Sequence, residues 1–351
     1  FIFIKTLLKN FLLKDKTILI TGVAGFIGSR LAKRLIENGS KVIGIDNLNK
    51  YYDDGLKNQR LRLITESFNS YNFEFRKINI ENYDRLMDVC HEFNPNIVIN
   101  LAALAGVRSS IDNPREYIST NLVGFANVLE ACRNFNVKNF IYASSSSIYG
   151  GSKQFPSKES SISDHPVSLY AATKKSNEVL AHSYSQLYGI PSIGLRFFTV
   201  YGPLGRPDMA PMLFAKSILR NEPIKIFNNG NMMPDFTYID DVIDAILGCC
   251  DKPACSDNDF DFSNPNPARS FAPHMIFNVG NGKSVPLMRF INLLEKELKK
   301  EAIKEYLPMQ LGDVKETYSN IKNINDWIGF IPKINIEEGT KKFIKWFLEY
   351  Y

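Results

Sequence analysis

At 351 residues, 44% hydrophobic and 23% charged, the chain has the composition of a globular protein and enough length for one large core or two modest ones. A net charge of +5 with no dense Lys/Arg cluster argues against nucleic acid and suits an anionic small molecule. The five cysteines show no C-x-x-C spacing and no paired histidines, which argues against a metal site and fits reduced thiols in a cytoplasmic protein.

Residues 1–14 (FIFIKTLLKNFLLK) form an N-terminal extension, too short to span a bilayer, interrupted by Lys5 and Lys9, and lacking a small-residue cleavage site. At helical spacing Ile4, Leu7, Leu8, Phe11 and Leu12 share a face. Packing or disorder of this segment is preferred to membrane contact.

The Ile-rich run Lys16–Thr21 predicts a buried parallel strand, followed by a glycine turn and a helix that Asn38-Gly39 ends after Glu37. Lys41 to Ile45 predicts a second strand ending at Asp46, which completes a βαβ unit. Further strands are expected at 72–78, 97–101 and 140–144, with helices at 83–93 and 121–134. This alternation predicts an α/β fold with a doubly wound parallel sheet. Beyond about residue 200 the pattern becomes irregular, and 256–273 reads as loop. The division expected is a Rossmann domain over 15–195, with returns near 196–200 and 236–252, and a smaller interleaved substrate domain over 201–351.

Gly22, Gly25 and Gly28 lie between the first strand and its helix, where glycines let backbone approach a pyrophosphate at a helix N-terminus. Asp46 at the next strand end can accept from both ribose hydroxyls and would repel a 2′-phosphate, so NAD is expected rather than NADP. The serine run 144–147 follows a predicted strand at the carboxyl end of the sheet, where open α/β folds bind ligands. Tyr170 and Lys174 share one face of a predicted helix, and an ammonium beside a phenol favours the phenolate. Such a pair can trade a proton with a sugar hydroxyl.

From about Lys16 onward the chain resembles the extended short-chain dehydrogenase/reductase superfamily, through GVAGFIG (22–28), Asp46, LAA (101–103), SSSSIYG (144–150) and YAATK (170–174). Within it the chain resembles nucleotide-sugar 4-epimerases, most narrowly UDP-glucuronate 4-epimerases, through SLYAATKKSNE (168–178), RFFTVYGPLGRPDMA (196–210) and DFTYIDDV (235–242).

The resemblance implies that Tyr170 is the acid/base at the sugar 4-hydroxyl, Lys174 its partner on the nicotinamide ribose, and Ser145 a second hydrogen-bonding group at O4. Bound NAD would be held by Gly22, Gly25, Phe26, Ile27, Gly28, Asp46, Asn79, Ile80, Leu101, Ala102, Ala103, Asn121, Tyr170 and Lys174. Ser145, Ser146, Ser147, Thr199, Arg206, Lys225 and Phe227 would form the UDP-sugar pocket, Arg206 gripping a glucuronate carboxylate. Related dehydratases carry an Asp-Glu pair at Ser146-Ser147, and decarboxylases a Glu at the second position. Serines there imply epimerisation without loss of water or carbon dioxide.

Three departures stand out: Asn79 for an Asp that accepts from adenine, Asn100 for a His, and Pro234 for an Arg that contacts the UDP phosphates. Lys225 or Arg289 is a candidate for the missing charge. The alternatives are a 4-epimerase of UDP-glucose or UDP-N-acetylhexosamine and a catalytically impaired NAD-binding protein. A homodimer pairing through the Tyr170 helix and 121–133 is implied by the family.

Overall fold

The structure, a computed structural model, describes residues 13–52, 54–68 and 72–351. The expectations for residues 1–12 lie outside the described residues, whereas Leu13 is buried in the core.

The predicted βαβ unit forms as β1 (Thr17–Thr21), α1 (Phe26–Glu37) and β2 (Lys41–Asp46). It is followed by α2 (Asp54–Thr65), β3 (Phe73–Lys77), α3 (Tyr83–Phe93) and β4 (Ile97–Asn100). The helix expected from Asn121 is split: residues Ser119–Gly124 wind as a π-helical turn, and α4 (Phe125–Asn134) continues from it. Then come β5 (Asn139–Ser145), α5 (Leu169–Tyr188), β6 (Ser192–Phe197) and β7 (Thr199–Tyr201). The later chain supplies α6 (Ala210–Arg220), β8 (Pro223–Ile226), β9 (Phe236–Tyr238), α7 (Ile239–Asp251), β10 (His274–Val279), α8 (Leu287–Leu298) and β11 (Ile303–Tyr306).

Seven parallel strands form one sheet in the order β10-β6-β5-β4-β1-β2-β3. The direction of winding reverses between β1 and β4, and the crevice at their carboxyl ends is the natural ligand site of such a sheet. Period-2 alternation explains the two cores: Ile18 and Ile20 face one layer with Leu31 and Ile246, while Leu19 faces the other with Leu86 and Val128. β10 joins the sheet from a stretch in which no strand was expected. Two small parallel pairs, β8 with β11 and β7 with β9, lie beside the carboxyl ends. α7 packs back on α1, tied by Arg30 to Asp240 at 2.8 Å and Arg34 to Asp244 at 3.3 Å.

One buried ion pair behind the serine strand was not anticipated. Arg196 on β6 and Glu178 on α5 are 0% and 2% exposed, joined by bonds of 2.8 and 2.9 Å. Glu178 also accepts from Ser144 at 2.6 Å, and Arg196 donates to Tyr149 at 2.9 Å, so the pair fixes both ends of the serine turn. Arg196→Met strands the Glu178 charge and is expected to cost about 3–5 kcal/mol in chemical denaturation, most of it recovered by adding Glu178→Leu. An unchanged single variant would contradict this role.

Candidate active site

The glycine turn closes on itself so tightly that side chains have no room. A Cβ on Gly22, whose φ is +72°, would lie 2.7 Å from the Ala102 nitrogen, and one on Gly28 would lie 2.3 Å from the Gly22 oxygen. Gly25 caps α1 without any side-chain hydrogen bond, so the first-turn N–H groups of Phe26 and Ile27 present a bare helix N-terminus. Asp46 ends β2, where its carboxylate accepts from the Ala24 N–H at 3.1 Å and the Leu48 N–H at 2.8 Å. Burial pushes its pKa up against these bonds. Leu101, Ala102 and Ala103 follow β4 beside this turn, and Asn100 accepts from Thr21, which in turn accepts from the Ala102 N–H. A dinucleotide fits this cradle: bare N–H groups for a pyrophosphate and an acidic acceptor for ribose.

Asn79 is less available than an Asp would be. Its carbonyl already accepts from the Glu81 N–H at 3.1 Å, and its amide faces the Glu81 carboxylate. Ile80 packs against Gly124 of the π-helical turn, where an added Cβ would come within 2.7 Å. That turn aims Asn121 inward. Its side chain bonds both the N–H and carbonyl of Leu104, at 2.9 and 3.0 Å, and donates to Thr173 at 3.1 Å. Asn121 thereby ties α5 to the loop after β4.

Ser168 caps α5 by accepting from the Ala171 N–H, which sets Tyr170 and Lys174 in its first turns. The Ser145 hydroxyl donates to the Ser147 hydroxyl at 3.1 Å and lies near enough to the Tyr170 phenol to oppose the rise of its pKa. Ser145 also accepts from the Ser147 N–H at 3.2 Å, shaping the turn that carries Ser146 and Ser147. Lys174 is 3% exposed and donates to the Ala143 carbonyl at 2.9 Å.

The electrostatics depart from the simple expectation of an ammonium beside a phenolate. Burial pushes Tyr170 up, opposed by the nearby Ser145 hydroxyl and the Arg206 charge. Burial also pushes Lys174 down to about 8. Both groups are thus drawn towards their neutral forms. Because the folded pKa of Lys174 lies below its ordinary 10.5, the unfolded chain binds more protons between about pH 8 and 10.5, and stability contributed by this group rises with pH there. Lys174→Met is expected to remove that rise and to stabilise the protein at pH 7 by about 1–2 kcal/mol after loss of one hydrogen bond. Thermal unfolding at pH 7 and 10 tests this, and a destabilised variant at pH 7 would overturn it.

Arg206 reaches the same pocket, where its charge acts on Tyr170. Its Nε and Nη2 donate to the two oxygens of Asp208 at 3.1 and 2.5 Å, and Nη2 donates to the Ala105 carbonyl at 2.5 Å. Sequence reasoning missed the neighbours that shape this wall. Tyr51, Ser109 and Tyr117 form a hydroxyl chain of 2.5 and 2.6 Å, and the Tyr117 ring stands edge-on to Tyr170 at 6.3 Å. Of the three only Ser109 lies shortly after LAA in the chain, and Tyr51 and Tyr117 belong to no motif that pointed to the site. Thr199 starts β7, its N–H bonded to the Asp235 carbonyl. Phe227, in the turn after β8, carries Arg108 over its ring at 4.5 Å, whereas Lys225 is exposed on β8.

Among the described residues no cluster of three or more His, Cys, Asp or Glu could hold a metal ion, and no helix is long and apolar enough to cross a membrane.

Comparison with known proteins agrees with this geometry. The model of the NAD dependent epimerase/dehydratase family matches residues 18–262. Protein CapI of Staphylococcus aureus is 52% identical over 334 residues, covering 95% of this chain and 99% of that protein. A probable UDP-glucuronate 4-epimerase of Rhizobium meliloti is 41% identical, covering 95% and 97%. The crystal structure of UDP-glucuronic acid 4-epimerase from Bacillus cereus, in complex with UDP-glucuronic acid and NAD, superposes with a TM-score of 0.84 at 32% identity, covering 95% and 100%. The chain belongs to the NAD-dependent epimerase/dehydratase family of extended short-chain dehydrogenases/reductases, among its nucleotide-sugar 4-epimerases.

Proposed function

We propose that the protein interconverts UDP-glucuronate and UDP-galacturonate by NAD-dependent epimerisation at C4. The observation that carries the choice of sugar is Arg206: beside Tyr170, its guanidinium already holds a carboxylate, that of Asp208, through two bonds. A glucuronate carboxylate has the same chemistry and would take this fork by displacing Asp208. The identities and names of the Rhizobium and Bacillus relatives support the same substrate.

When bound, NAD accepts hydride from C4 and returns it to the opposite face. As the phenolate, which the Arg206 charge favours against burial and a cationic nicotinamide would favour further, Tyr170 would take the 4-hydroxyl proton as the C4–O bond becomes a carbonyl, and give it back when the alcohol re-forms. Ser145, near the phenol, would share O4 by turning its hydroxyl from Ser147, which steadies developing charge. Lys174, anchored on Ala143, fixes the ribose side of the site. The 4-keto sugar is a β-keto acid, and a guanidinium held on its carboxylate opposes loss of carbon dioxide. Ser146, Ser147 and Thr199 offer hydroxyls to the turning ring without an acid or base for elimination.

Grip should come from the UDP portion, so that the ring can rotate. Pro234 offers no donor there, and its carbonyl is bonded to the Val285 N–H. Arg289 is paired with Glu337 at the surface. Arg108, half-exposed over Phe227 and paired with Asp313 at 2.9 Å, is the better-placed cation for the diphosphate. Exposed Val123 on the π-helical turn that leads into α4, with Val179 and Leu187 on α5, supports a homodimer pairing through these two helical stretches. Five free thiols suit the cytoplasm.

Parallel incubation with UDP-glucuronate, UDP-glucose and UDP-N-acetylglucosamine, with chromatographic separation of epimers, tests the substrate. Conversion of the uronate with little of the neutral sugars is expected. Preferential turnover of a neutral sugar would replace this reading with the alternative.

A further inference from the structure

Arg60 on α2 is completely buried, yet no carboxylate is among the groups it bonds. Nε and Nη2 donate to the Leu204 carbonyl at 3.1 and 2.7 Å, and Nη2 also donates to the Gly205 carbonyl at 3.2 Å. Nη1 donates to the Ala24 carbonyl at 3.1 Å and the Tyr52 hydroxyl at 2.6 Å. These contacts match the five N–H donors of a guanidinium. Burying a cation against neutral acceptors is costly, and a fold needing only apolar filling would not keep one there.

The acceptors explain why it is kept. Leu204 and Gly205 are the two residues before Arg206, and Leu204 sits at φ +61°, a left-handed conformation unfavourable for a branched side chain. Two bonds from Arg60 hold that peptide in place. Ala24 lies in the glycine turn, where its N–H donates to Asp46. One side chain therefore spans the dinucleotide turn and the loop that presents the carboxylate-binding guanidinium. Lysine, a point charge with three donors, cannot make the fork.

We propose that Arg60 is a positioning residue for substrate recognition: it sets the 204–206 loop against the dinucleotide turn so that Arg206 points into the sugar pocket. The inference rests on the reading of Arg206 as the carboxylate ligand. Its mark is dependence on Arg206, which a residue needed only for stability would lack.

The test is a double-mutant cycle on NAD-loaded protein, with calorimetric affinities for UDP-glucuronate and for UDP. Arg60→Lys is expected to weaken UDP-glucuronate about tenfold or more and UDP less than about threefold, with no further weakening of UDP-glucuronate in an Arg206→Ala background. Should Arg60→Lys not fold, Tyr52→Phe, which removes only the 2.6 Å acceptor, should show the same pattern at about two- to fivefold. Equal losses in both backgrounds, or equal losses for UDP and UDP-glucuronate, would overturn the proposal. Wild type and Arg206→Ala binding UDP-glucuronate equally would overturn the carboxylate reading itself, before Arg60 is touched, and the inference with it.

Discussion

Tyr170→Phe is expected to lower kcat by about 10²–10⁴-fold while leaving NAD and UDP-sugar bound. The phenol lies near Ser145 and feels the Arg206 charge, and under the proposed reading it is the group that meets the sugar hydroxyl. Phenylalanine keeps the ring and its edge-on contact with Tyr117, so the loss isolates proton transfer from packing. Turnover and bound-nucleotide content measured on the same preparation decide the matter. A variant within about threefold of wild type would move the acid/base elsewhere, since general acid–base groups contribute far more than that.

Arg206→Ala should be nearly as damaging, but for one class of substrate only. Losing a two-bond, charge-assisted contact is expected to reduce kcat/KM for UDP-glucuronate by about 10²-fold, corresponding to about 3 kcal/mol. Any residual turnover of UDP-glucose should change little. With the carboxylate released, some of the keto sugar should lose carbon dioxide, and a UDP-pentose is the diagnostic product. Equal losses on acidic and neutral sugars would make Arg206 a scaffold for the Ala105 loop, which it also bonds.

The parts of the molecule that were legible in the sequence are those governed by short-range pattern. Helix α3 begins and ends at the residues expected, because Asn82 caps it by accepting from the Arg85 N–H and Asn94 takes a left-handed turn at its end. Apolar runs fixed β1, β2, β4 and β5 to within a residue or so. The glycine turn, the place of Asp46 at the end of β2 and the placement of Tyr170 and Lys174 on one helix were readable for the same reason: spacing along one element sets them, whereas the ammonium expected beside the phenol turns instead to the Ala143 carbonyl.

What was not legible depends on segments far apart in the chain. Helix α2 has weak amphipathic character because Arg60 points inward among polar acceptors, so its apolar period is broken. The π-helical turn at Ser119–Gly124 is forced by packing Gly124 on Ile80 and by the inward bonds of Asn121, which no local propensity encodes. The pairing of Arg206 with Asp208 and Ala105, and of Arg196 with Glu178, joins loops and strands that only the fold brings together. The depressed pKa of Lys174 likewise follows from burial, which spacing alone does not reveal.

The most direct test of the central claim uses UDP-glucuronate carrying deuterium at C4, incubated with the NAD-loaded protein and resolved by NMR. If C4 gives up a hydride and receives the same one on its other face, UDP-galacturonate will form with deuterium retained at C4 and no carbon dioxide released. Product bearing solvent hydrogen at C4, or no product from protein that demonstrably holds NAD, would contradict the account.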